Sequence, residues 1–144
     1  MIMVKKIFLN LVVFFFSIAT LNAEEKILCG INLFFTHDDH GPTAEYHLTT
    51  QVTNRTGRDI SGVATFYFNE EGLLIGNAEL NCDIARPPLQ PGSTGQCSAL
   101  LQTIDGKMME KFGTSMWTEI VNVQLERLIS VTQCQVAGYR FTVE

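Results

Sequence analysis

The sequence predicts an all-β domain: an antiparallel sandwich of about seven strands, of the immunoglobulin-like or fibronectin type III-like kind. Three observations carry that expectation. Apolar residues recur at every second position and not at helical spacing. The extended runs are rich in Val, Ile, Thr and aromatic residues. Turn residues punctuate them at the short intervals of a sandwich.

The first 23 residues stand apart from that domain. Lys5 and Lys6 precede an apolar run from Ile7 to Ile18, and Leu21-Asn22-Ala23 offers a small-residue cleavage site. This pattern reads as a secretory signal peptide, because the apolar run is shorter than the ~20 residues of a membrane span. The expected folded part is residues 24–144, one domain. It keeps eight basic residues against fifteen acidic ones, a net charge of −7. An acidic chain without a basic cluster is a poor match for a phosphate backbone, so no nucleic acid is expected as a partner.

The strands follow in order. Ile27, Cys29, Ile31, Leu33 and Phe35 alternate on one face, and Tyr46, Leu48, Thr50 and Val52 do so after a polar corner. "DISGVATFYFNEEG" sets Ala64, Phe66 and Phe68 against Val63, Thr65 and Tyr67, and then turns. "NRTG" and "RPPLQPGSTG" are turn chemistry. "QCSALLQTID" and "WTEIVNVQL" are expected as later strands, and a last extended region, 128–143, breaks near Gly138. The stretch from Asp105 to Trp117 is expected to be a loop with at most one helical turn, since it is short and flanked by glycines.

All four cysteines lie beyond the leader, and an even count in an exported small domain implies two disulfides. Three connectivities are possible. The strand order favours Cys82–Cys97 across a turn and Cys29–Cys134 between the first and last strands. The only tryptophan, Trp117, lies too late for an immunoglobulin core, so the fibronectin type III variant fits better.

Catalytic patterns are absent from the sequence, and the chain is not expected to be an enzyme. It has no GxSxG elbow and no Gly-rich phosphate loop, and its paired cysteines leave no nucleophilic thiolate. All three histidines lie in or near "THDDHGP". His37, Asp39 and His40 could converge in a turn as metal ligands. The plainer reading is a polar corner whose aspartates cap a turn, so no cofactor is expected. Asn54 in "NRT" is a formal glycosylation acceptor, without meaning in a bacterial source.

A sandwich without a catalytic site presents a binding surface. Met108, Met109, Phe112 and Trp117 gather apolar bulk beside charged residues, and methionines suit adaptable contacts. Tyr67 and Phe34 face outward if their alternating neighbours form the buried set.

"CGINLFF", "VTNRTGRDISGVATFYFNEEG", "LQPGSTGQC" and "VTQC" together resemble the interleukin receptor mimic proteins, small secreted proteins of pathogenic enterobacteria. The resemblance implies a fibronectin type III-like sandwich that forms a homodimer by exchanging strands and binds host cytokines. Asp105–Trp117 would then serve as the hinge. Two other functions are compatible with the sequence: a periplasmic metal-binding or redox-protective module using His37–His40, and a fimbrial or structural subunit.

Overall fold

The computed structural model describes residues 26–82 and 88–143, so the leader expected over residues 1–23 lies outside the described residues. Six strands and two helices follow one another: β1 (Lys26–Asp38), β2 (Gly41–Thr53), β3 (Ile60–Asn69), β4 (Leu74–Asn81), β5 (Thr94–Ile104), α1 (Gly106–Phe112), α2 (Thr114–Ile129) and β6 (Val131–Phe141). Every strand pair is antiparallel, and the hydrogen-bonded order β1-β2-β5-β4-β3-β6 closes on itself as a barrel. The fold class is all-β, as the period-two pattern implies. Among the described residues the strands number six and form one closed sheet, where a two-sheet sandwich of seven is expected from sequence.

The register divides the barrel into two three-stranded halves. β1, β2 and β5 pair along most of their length, from Cys29↔Thr50 to Asp38↔Gly41 and from Ala44↔Ile104 to Thr53↔Thr94. β3 pairs fully with β4 and with β6. Between the halves lie two short seams. β1 meets β6 only from Lys26↔Gln135 to Leu28↔Gln133. β4 meets β5 only at Asn81↔Ser98.

Each seam carries a disulfide. Cys29–Cys134 joins β1 to β6, with Cα atoms 5.7 Å apart, and Cys82–Cys97 joins the end of β4 to β5 at 4.2 Å. Cys29, Thr50 and Cys97 are register partners across β1, β2 and β5, so both bridges lie in one transverse row. The Thr50 hydroxyl donates to the Leu28 carbonyl at 2.6 Å within that girdle. The pairing is the one the strand order favours.

Two hydrophobic clusters fill the interior. Leu48, Val52, Ile60, Val63 and Leu80 pack between the halves around the cystines. Ala44, Tyr46, Ile104, Trp117, Val121 and Leu128 form the second. There the inward face of β2 continues past the end of the first cluster and is covered by helix.

That cover corrects the sequence reading of residues 105–125. "WTEIVNVQL" is helical, because Trp117, Val121 and Leu128 fall on one face at helical spacing and are buried. Val123, which the alternating reading would bury with Val121, is 60% exposed. Asp105–Trp117 is likewise more than a single turn. Asp105, extended, caps α1 by accepting the Lys107 N–H at 3.0 Å. Gly113 separates the helices at φ +89°, where a side chain would be strained.

The remaining differences are smaller. β4 is an additional strand. β6 runs unbroken, and the expected break near Gly138 is a register shift, with Ala64 opposite Gly138 and Thr65 opposite Val136. Asn54 is fully buried. Its amide donates to the Arg58 and Leu89 carbonyls at 2.7 Å, and its oxygen accepts from the Thr56 N–H and hydroxyl. The carboxamide holds the turn and is not presented to solvent.

Candidate binding surface at the helical corner

The β1–β2 hairpin runs beyond the first cluster and turns at Asp39–His40, next to α1. Asp38 organises the turn. One carboxylate oxygen accepts the His40 N–H at 2.8 Å, and the other accepts the Thr43 hydroxyl at 3.2 Å. The His40 N–H bond is the main reason its carboxyl is held below the usual range, opposed by some desolvation. His40 Nδ1 lies 3.4 Å from a Glu110 carboxylate oxygen, which ties the turn to α1. His37 and Asp39 are exposed beside it. Among the described residues no group of three or more His, Cys, Asp or Glu side chains is placed to hold a metal ion.

His47 lies on the outer face of β2, 3.1 Å from Glu45, with the Phe34 ring edge-on at 5.2 Å. This follows the strand alternation, since Tyr46 and Leu48 are fully buried. The Tyr46 hydroxyl donates to the Val121 carbonyl at 2.6 Å, pinning α2 to the sheet. Burial raises its pKa above 10.0.

Apolar side chains crowd the surface around this corner. Phe34 is 51% exposed, Phe35 61%, Phe112 54% and Met116 47%. The Phe35 ring stands 6.3 Å from that of Trp117. Lys111 Nζ lies 5.6 Å over the Phe112 ring, within cation–π reach. Trp117 itself is buried, and its indole nitrogen has no hydrogen-bond partner among the described residues. Met108 and Met109 are half-buried against the second cluster.

The corner thus brings together Met108, Met109, Phe112 and Trp117 of the sequence-predicted surface, with Phe112 outermost, whereas Phe34 lies on the opposite, outer face of β1 against His47. Tyr67 is not among them. It is half-buried against the first cluster, and the exposed neighbour is Phe66, because the inward set of β3 is Val63, Thr65 and Tyr67. A Cβ on Gly76 of β4 would overlap the Tyr67 phenol, so the glycine makes room for that ring. The Thr65 hydroxyl is satisfied inside by the Ala78 carbonyl. Phe35 was not singled out by sequence: alternation sets it with Leu33, and only the extent of helix cover leaves it exposed.

No helix among the described residues is long and apolar enough to cross a membrane. No family model, curated protein or solved structure matches the chain.

Proposed function

We propose that this chain is an exported, non-enzymatic binding protein that docks an extracellular host protein through the helical corner. One observation carries the reading: beside the buried Trp117 the Phe35 ring is exposed, and Phe112 and Met116 of the covering helices stand about half exposed. Such a patch, rimmed by Lys111, Glu110 and His40, has the composition of a protein-recognition surface, with aromatic and methionine anchors inside a polar rim.

The resemblance to interleukin receptor mimics makes a host cytokine the partner class, and virulence through receptor mimicry the biological role. It also supports a homodimer formed by strand exchange, with Gly113 and the short helices as the hinge. The two disulfides fit an oxidising compartment.

The test is a binding screen of oxidised protein against a panel of host cytokines, repeated with a Phe35→Ser/Phe112→Ser double variant. Binding should fall by at least about tenfold in the variant while thermal stability is unchanged, since anchor truncations typically cost more than 1 kcal/mol. A panel without a single binder sinks the cytokine assignment. Light scattering at micromolar concentration checks the dimer, and a strict monomer removes it.

A further inference from the structure

Sulfur is distributed unevenly along this chain. All four cysteines are held in the two disulfides, so the folded protein offers no thiol. Of the five methionines, Met1 and Met3 precede the described residues, and Met108, Met109 and Met116 all lie on the two helices of the corner. On α2 the inward face is set by Trp117, Val121 and Leu128. Met116 is one position from Trp117, about 100° round the helix, which turns its thioether outward. It is about half exposed, whereas Met108 and Met109 are half-buried against the second cluster.

Where no thiolate is present, the thioether is the sulfur a peroxide oxidises, and susceptibility follows exposure. We propose that Met116 is an oxidation site whose sulfoxide turns the apolar corner polar. The oxidant is hydrogen peroxide. Met116 Sδ attacks one peroxide oxygen, the O–O bond breaks and an S–O bond forms. Sulfur gives up two electrons, the departing hydroxide takes the proton from the transferred oxygen, and water leaves. The product carries a polar S=O group among the exposed apolar side chains of the corner. The fold need not change, because Met116 packs in neither hydrophobic cluster. An oxygen on Met108 or Met109 is instead placed against the second cluster, where a polar group without a partner is costly. Those two therefore follow later and loosen α1. A thiol-dependent sulfoxide reductase reverses the modification. The oxidation stands on exposure and chemistry alone; its effect on a host protein rests on the reading of the corner as the docking surface.

The experiment exposes the exported, disulfide-bonded chain to hydrogen peroxide at neutral pH and follows each methionine by peptide mass spectrometry. Retention on a phenyl column reports exposed apolar surface, and thermal unfolding reports stability. Met116 should gain its oxygen several times faster than Met108 or Met109. Retention should fall as that first oxygen is added, while thermal stability holds until the other two follow. A Met116→Leu variant keeps the apolar bulk without the thioether, and should hold its retention over the same exposure. Oxidation of Met108 or Met109 as fast as Met116, unchanged retention with Met116 fully oxidised, or equal loss of retention in the variant overturns the proposal. None of these readouts needs a cytokine, so an empty panel would sink the docking reading and leave the oxidation of Met116 standing.

Discussion

The two hydrophobic clusters are closed by different means. The first lies between strand halves whose seams are short, and both disulfides cross it in a single row through Cys29, Thr50 and Cys97. The second has no disulfide; α1 and α2 cover it, Tyr46 anchors it to Val121, and it contains an indole nitrogen without a partner among the described residues. Covalent ties stand where the backbone ladder is thinnest, and the half without them is closed by helix packing and the Tyr46–Val121 hydrogen bond. The less tied half is also the one with exposed aromatics at its edge. A surface that must adapt to a partner is drawn from the less stable part of a fold.

The largest test of this contrast is the girdle itself. Cys29 and Cys134 are 105 residues apart and Cys82 and Cys97 only 15. If chain entropy governs, replacing the first pair by alanine costs about 4–5 kcal/mol and the second about 3 kcal/mol, measured by urea unfolding. A larger loss from the short bridge would mean that closing the single-pair β4–β5 seam outweighs loop entropy. Next comes packing. Leu48→Ala, in the girdle, should cost about 3–4 kcal/mol because the cross-linked surroundings cannot collapse onto the cavity. Val121→Ala, with fewer atoms removed from a helix free to shift, should cost about 1–2 kcal/mol. Equal costs would erase the distinction between a rigid and an adaptable half.

How much of this was legible depends on which residues carried a single meaning. Ile27 to Leu33 and Tyr46 to Val52 alternate without ambiguity, and both strands have the inward faces their alternation gives. Of the three possible cysteine pairings, the strand order favours the one the structure has. "WTEIVNVQL" carries two periods at once: Val121, Val123 and Leu125 alternate, while Trp117, Val121 and Leu128 repeat at helical spacing. Only the second cluster, which needs a cover over Ala44 and Tyr46, decides between them. β4 was hidden by Gly76 and Asn77, residues that ordinarily weaken a strand. Gly76 is there for the Tyr67 ring, a contact between strands that no local pattern contains. For the same reason alternation alone sets Tyr67 outside and Phe35 inside: both positions depend on what lies opposite.

A smaller effect probes the orphaned indole. Trp117→Phe loses some buried area but removes a buried N–H that has no acceptor among the described residues. The unmet donor costs about 1–3 kcal/mol, so the substitution should change stability by less than about 1 kcal/mol, whereas Trp117→Ala should lose about 3 kcal/mol or more. A loss in Trp117→Phe as large as that of the alanine variant would mean that the nitrogen does have a partner in solution.

The smallest predicted effect lies on the alkaline side and distinguishes the halves by titration. Burial raises the Tyr46 pKa above its ordinary 10.0, so the folded chain holds the phenol proton at a pH where the unfolded chain has begun to release it. Its contribution is therefore complete below pH 10 and declines as pH rises through that value toward the folded pKa. The lost proton is also the one donated to the Val121 carbonyl, so the helical half should loosen first. Amide exchange in α2 should accelerate above pH 10 relative to β3, after correction for the intrinsic rise in exchange with pH. Tyr46→Phe should abolish that excess while leaving the girdle's response to pH as it was. An excess that persists in the phenylalanine variant would trace the alkaline loosening to another group and break the link between Tyr46 and the helical cover.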